Sequence, residues 1–294
     1  MRPPGPGHPA RRGARSQLAG AALVAVAAAS WGTWSLFLRP AHLPATVSTP
    51  IMLLVMGVVT LPAALRAPRV AWDRATVGLV VANAAFDALN IIAFFSALEV
   101  TTVEIAVLTH YFSPIVIALA APRIDGVVTP GARPAAAVAL AGLVVILEPW
   151  HAPAGGAVLG AALGVASAVC AAGNLFTVRR LAVRIGAARA LCYHALLAAA
   201  AMAPLAARHA GELTGPRLGL IAAGSVVLGA ASGVAFTVGL IRVGSARAAV
   251  LTYLEPLVAV AVGAMVWNEP LSPLAVVGGL LVIGAGIEVA RKAR

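Results

Sequence analysis

From residue 20 to residue 290 the chain alternates long apolar runs with short polar breaks. Ten runs can be marked, at roughly 20–38, 48–65, 76–97, 103–121, 134–149, 155–176, 188–207, 217–240, 247–267 and 271–290. Several are 16 to 20 residues long, near the lower end of what a helix needs to cross about 30 Å of hydrocarbon. A membrane helix is often apolar all round, so the 3.6-residue period adds little to this reading. The fifth run, AAAVALAGLVVILEPW, is short and ends with Glu148 and Trp150. The pattern predicts an all-α polytopic membrane protein with ten transmembrane helices.

Composition supports this. Of 294 residues, 61% are hydrophobic and 11% charged, against about 25% charged in soluble domains. The chain could bury a large core but lacks the polar residues to cover one, and a lipid bilayer removes that need. Arginines 11, 12 and 15 before LAGAALVAVAAASWG suggest a signal peptide or a first membrane helix with a basic flank. Nine further spans favour the helix. Residues 1–17 read as a disordered basic tail. Cys170 and Cys192 lie inside spans and read as small core residues, so no metal site or cofactor is expected.

The net charge of +11 is unevenly placed. With both termini cytoplasmic, 18 of the 21 basic residues fall on the cytoplasmic side, leaving Arg39, Arg208 and Arg217 outside. The positive-inside rule accounts for this division and predicts a multi-pass protein of the inner (plasma) membrane. Nucleic acid is not an expected partner, because no segment is long enough to form a soluble domain with a basic face.

The chain also echoes itself. LTHYFSPIVI (108–117) returns as LTYLEPLVAV (251–260), and an offset of 142 pairs Pro114 with Pro256 and Tyr111 with Tyr253. AGLVVI (141–146) and GGLLVI (278–283) match at an offset of 137. These offsets map the first five spans onto the last five, giving a first repeat at 18–149 and a second at 155–290. Five is odd, so the second copy enters the membrane inverted. Inverted repeats mark secondary transporters, whose halves exchange roles around a midplane site. Gly156, Gly160 and Gly164 in the sixth span, with Gly279 and Gly286 in the tenth, offer small surfaces for close helix packing.

From residue 20 to 290 the chain resembles the drug/metabolite transporter superfamily with two EamA-type repeats. The resemblance rests on WGTWSLFL (31–38), AFFSALEVTTVEIAVLTHYFSPIV (93–116), and the stretch from AFTVGLIRVGSARAAVLTYLEP through AVVGGLLVIGAGI (235–287). The first half departs from the pattern: Ser113 replaces the Glu before the proline, and Asp125 stands where a Glu is usual. The resemblance implies export or exchange of small metabolites whose identity the repeat does not specify.

Three ionisable residues fall well within spans: Asp87, His110 and Glu255. A charge there costs about 2.5–3.5 kcal/mol on insertion scales, so such groups usually face a bundle interior or wet cavity. Asp87 reads either as a ligand for an amine or proton carrier, or as a structural acid bonded to Asn83 or Asn90. Asn83, Asp87 and Asn90 are spaced four and three residues apart, a polar stripe expected to mark a cavity. Glu255 reads as a structural or gating group, or as a direct substrate or proton contact. Pro114 and Pro256 predict helix breaks. His110 is the residue suited to titration near neutral pH. Tyr111, Tyr253 and Trp31 could line a cavity or simply pack; Asn174 is placed at the inner mouth. Trp34, Trp72, Trp150 and His194 read as interfacial.

No GxxxxGK[ST], filter-like or metalloprotease motif appears, and no nucleophile elbow, so neither an ATP-driven pump, a channel nor an enzyme is indicated. Expected partners are the bilayer, a small-molecule substrate and protons. Amino acids or related amines suit the acids, with a multidrug or cationic-compound exporter and a non-transport structural membrane subunit as alternatives.

Overall fold

The structure, a computed structural model, describes residues 9–151, 156–207, 211 and 213–291. Every regular element among them is helical. Ten helical stretches are long and apolar enough to cross a membrane: α1 (Arg15–Ala41), α2 (Ala45–Arg66), α3 (Arg74–Val100), α4 (Val103–Ile124), α5 (Ala132–His151), α6 (Ala157–Ile185), α7 (Ala187–Ala207), α8 (Gly215–Val243), α9 (Ser245–Val266) and α10 (Pro273–Arg291). The protein is a multi-pass membrane protein.

Two boundaries differ from expectation. Helix begins at Pro9, so the expected tail of 1–17 is helical from that point. Proline is tolerated in a helix's first turn, where its missing N–H would have no partner. Residues 1–8 lie outside the described residues, as do Arg2, Arg208, Lys292 and Arg294 of the charge pattern. The sixth span, expected to end near 176, runs on to Ile185. Val178, Leu181, Ala182 and Ile185 are buried there while Arg180 and Arg184 are exposed. This amphipathic extension has helical spacing that an all-apolar window misses.

The helix pairing is the same when the halves are exchanged. Helix α3 packs on α6 and α1 on α8; α2 packs on α7 and α5 on α10; and α4 meets α9. Replacing each helix by the one five places along turns the first contact into the second and leaves the others unchanged. The α5–α10 crossing depends on Gly142 and Gly278, where a Cβ on either would strike the other's carbonyl oxygen. The sequence singled out Gly279 and Gly286 in α10, but Gly278 makes the backbone contact.

Four spans are interrupted, α1 at residues 32–34, α4 at 111–112, α5 at 148 and α9 at 252–253. Helix α8 contains a π-helical turn, Ser225–Ala231. Buried Arg189 at the start of α7 donates to the carbonyls of Ala64, Ala67 and Pro68, closing the C-terminal end of α2. Cations are favourable at such ends because the free carbonyls carry partial negative charge.

Candidate functional site

The breaks in α4 and α9 meet inside the bundle. Pro256 has no N–H to offer the Thr252 carbonyl, which instead accepts from the Glu255 N–H at 3.0 Å. In α4 the Ile115 N–H turns to the Phe112 carbonyl, leaving the Tyr111 carbonyl without its helical donor. The fully buried Tyr253 hydroxyl donates to that carbonyl at 2.8 Å. A buried backbone acceptor thus finds a side-chain partner from the opposite half. The two tyrosine rings lie 5.8 Å apart, and the Tyr111 hydroxyl interacts with the Glu255 carboxyl. Glycine is required where α1 passes this junction, since a Cβ on Gly32 would lie 2.5 Å from the Glu255 carbonyl oxygen.

Beside the junction is a cavity of about 390 Å³ with walls from seven spans. Asp87 and Glu255 both line it, together with Asn174, His194, Trp31, Trp34, Phe95 and Phe236. Among the described residues no arginine or lysine lines it. Trp31 packs on Phe236 with centroids 4.9 Å apart and donates its indole N–H to the Leu228 carbonyl in the π-helical turn. Trp34, read from the sequence as interfacial, lies in the cavity wall because the break at 32–34 redirects the end of α1.

The expected polar stripe on α3 divides. The Asn83 amide donates to the Asn174 carbonyl and the Thr177 hydroxyl of α6, at 3.1 and 3.0 Å. Asn90 accepts from Ser167 at 2.7 Å, and Ser167 lies 2.7 Å from His110 Nδ1. Neither asparagine nor His110 lines the cavity that holds Asp87. A helix advances about 100° per residue, so positions 83 and 90 nearly coincide while position 87 is rotated about 40° from Asn83.

Asp87 instead faces His194: its Oδ2 lies 3.4 Å from Nε2, with side chains 18% and 7% exposed. This corrects the interfacial reading of His194, which is buried two turns into α7. The available signal was its place in a run of alanine, leucine, cysteine and tyrosine, but nothing in that run indicates which face turns inward.

The EamA-like transporter family matches residues 158–288 of the chain, from α6 through most of α10. Residues 158–288 are EamA-type transporter sequence. No curated protein sequence matches the chain. A solved crystal structure of a protein 22% identical in sequence is similar to this transporter, with a TM-score of 0.76 over 92% of this chain and 96% of that one. At that identity the likeness is one of fold. Both cysteines of the transporter are free, and buried Cys192 lies 3.3 Å from the Gly57 carbonyl.

Proposed function

We propose that this transporter exports or exchanges small polar or amphipathic metabolites, foremost amino acids and related amines, by alternating access at the central cavity. One observation carries the reading: Asp87 and Glu255 line a single aromatic-walled cavity that, among the described residues, no arginine or lysine shares. Asp87 stands 13 residues from either end of its span and Glu255 about midway along its own, the depth of transport sites in inverted-repeat proteins. Acids attract an ammonium, and tryptophan and phenylalanine faces add cation–π attraction. Asn174 lines the same cavity and its buried Nδ2 has no protein partner, so a donor remains for a substrate carboxylate. Nucleotide sugars would need basic groups at this depth.

Export of cationic compounds is a second reading, favoured by Met52 and Met56 in the wall. Their flexible thioether chains adapt to unlike apolar bodies. Purified protein in liposomes loaded with a mixture of amino acids and amines should release particular components faster than empty liposomes do. Uniform leakage of every solute, or no selective release across a broad panel, would favour a non-transport membrane subunit.

The proposal places the protein in the inner membrane with cytoplasmic termini, on the strength of the 18-to-3 division of basic residues. In a background without Cys170 and Cys192, Trp150→Cys and Leu271→Cys should react with an impermeant thiol reagent on intact cells. Ala75→Cys and Val128→Cys should be protected. The opposite pattern overturns the orientation.

A further inference from the structure

Helices α3 and α6 pack against each other, and the start of α3 meets the end of α6 where Arg184 lies 3.4 Å from Asp73. With 27 and 29 residues they are roughly 40 and 43 Å long at about 1.5 Å per residue, against roughly 30 Å of hydrocarbon. All three arginines of α6, at 179, 180 and 184, lie in its last two turns, so the excess length stands among lipid headgroups at this end. A groove of about 710 Å³ runs between the two helices here. Its floor is apolar, made by Ala75, Gly78 and Leu79 of α3 and by Val183 of α6, which is 64% exposed. A Cβ on Gly78 would meet nothing within 4 Å. An open apolar hollow on the outside of a membrane-spanning pair is filled by lipid, which leaves the headgroup to be decided.

The rim of the groove decides it. Arg179 faces Asp125 at 3.2 Å, just as Arg39 of α1 faces Glu269 at 2.6 Å. Exchanging the halves turns one ion pair into the other, so Arg179 belongs to the shared architecture. One and five positions beyond these arginines the halves differ: α6 has Arg180 and Arg184, whereas the first half has Pro40 and Pro44. Arg180 Nη2 donates to the Ile124 carbonyl at 2.6 Å. Arg184 Nη1 donates to Asp73 at 3.4 Å and to the Thr76 hydroxyl at 3.3 Å. Each guanidinium is thus anchored through one nitrogen, and of its five N–H groups others remain for a ligand. The two lie four residues apart on one helical face, and a planar guanidinium suits a phosphate. Among the described residues Asp73 is the acid that faces them, since Asp125 is engaged by Arg179. One positive charge is left over, enough for one phosphodiester.

We infer that the groove between α3 and α6 binds an anionic phospholipid of the cytoplasmic leaflet, its phosphate between Arg180 and Arg184 and its glycerol and upper acyl chains on the apolar floor. Only the assignment of this end to that leaflet is taken from the transport reading. Basic pockets between helices at the cytoplasmic face suit such headgroups. A zwitterionic lipid carries the same phosphate but brings an ammonium toward the guanidinium groups, so it binds more weakly. The phosphate competes with Asp73 for Arg184, while Arg180 keeps its hold on the end of α4. One lipid thereby ties α3 and α4 of the first half to α6 of the second.

Dioleoylphosphatidylglycerol and dioleoylphosphatidylcholine, identical in their chains, serve as probes for the purified full chain in neutral detergent, with bound lipid counted by native mass spectrometry. Phosphatidylglycerol should bind at least about fivefold tighter, the factor expected from a single arginine at an anionic lipid surface. Arg180→Gln with Arg184→Gln should abolish the preference. Arg66→Gln with Arg69→Gln removes the same charge from exposed positions at the end of α2 and should keep it. Asp73→Asn retains a capping side chain and removes the competitor for Arg184, so phosphatidylglycerol should bind more tightly. Equal binding of the two lipids overturns the site, as does a preference that survives the loss of Arg180 and Arg184 or is lost equally with Arg66 and Arg69. Unchanged or weaker binding by Asp73→Asn also overturns it, a test that stands even if the double variant fails to fold. Displacement of the lipid by glycerol 1-phosphate, which has no chains, would mark a site for soluble phosphate esters and overturn the lipid site. Selective flux in the liposome panel and thiol labelling test transport and orientation separately.

Discussion

The broken spans α4 and α9 use one backbone device for two different purposes. Each stops one turn before or beside a proline, at residues 111–112 and 252–253, and each contributes a tyrosine to the shared junction. In α9 the residue before the proline is Glu255, which lines the cavity; in α4 it is Ser113, which is 8% exposed and does not. The α4 break supplies a carbonyl for Tyr253 to hold, whereas the α9 break places a carboxyl beside the substrate volume. Duplicated architecture thus preserves the helix interruption while the side chains at it diverge. The break is demanded by proline's missing N–H in both halves, but the acid is useful only where the bundle leaves space.

The largest expected effect comes from forcing the halves to match. Ser113→Glu would place a carboxyl at a buried position, and an uncompensated buried charge destabilises by about 3–5 kcal/mol. Thermal unfolding in detergent should show a clear drop, and Ser113→Glu should fail to restore flux to a Glu255→Gln protein. Parental stability together with restored flux would show that the two breaks are chemically interchangeable.

The tyrosines should rank next, and unequally. Tyr253→Phe strips the donor from a buried carbonyl, a loss of about 1–3 kcal/mol when nothing replaces it. Tyr111→Phe removes a hydroxyl that meets a carboxyl at the cavity wall, where water can take its place, so its effect on unfolding should be smaller. The reverse order would place the structural role in α4's tyrosine.

A glycine pair sharpens the comparison between α1 and α6. Gly32→Ala pushes against the backbone of α9, and Gly173→Ala against the ring of Phe86, at 2.5 and 2.6 Å from the added carbon. Overpacking typically costs about 1–3 kcal/mol, and backbone yields less than a ring that can turn. Gly32→Ala should therefore lower the unfolding temperature more. Equal shifts would mean that α1 can move away from the junction freely.

The smallest effect lies at the starts of α3 and α8. Asp73 caps α3, accepting from the Thr76 N–H at 2.7 Å, whereas Thr214 at the start of α8 makes no side-chain cap bond. Hydrogen bonds from Thr76, side chain first and backbone next, hold the Asp73 carboxyl below its ordinary value of 3.8, with a further pull from Arg184. Because the folded value is the lower one, the cap stabilises above about pH 3.8 and its contribution is lost as the pH falls through the folded value. Asp73→Asn should remove that acid-side component of the unfolding curve, while Thr214→Ala should leave the pH dependence unchanged.

The ten spans, the breaks of α4 and α9 and the acids at mid-span were legible because each follows from a strong local rule. Lipid demands long apolar helices, proline removes a donor, and a carboxyl in an apolar run must find an interior. Which way a side chain faces was not legible. Asn83, Asp87 and Asn90 looked like one stripe, yet the amides bind α6 and the acid turns to α7. His194 and Trp34 looked interfacial because they lie near predicted span ends, and they became cavity residues through the register of α7 and the break in α1.

The sequence by itself determined an all-helical membrane protein, the proline-linked breaks of α4 and α9, and a poverty of charge that makes each interior acid significant. Tertiary structure alone decided that Asp87 meets His194, that Tyr253 completes the backbone of the opposite half, and that Asp87 and Glu255 share one cavity. The physical reason is the apolar uniformity of the spans. Hydrophobicity selects lipid over water but does not orient a helix that is apolar on every side. Orientation comes from close glycine crossings, the few interhelical hydrogen bonds and the inverted pairing of the halves, all of which join residues far apart in the chain.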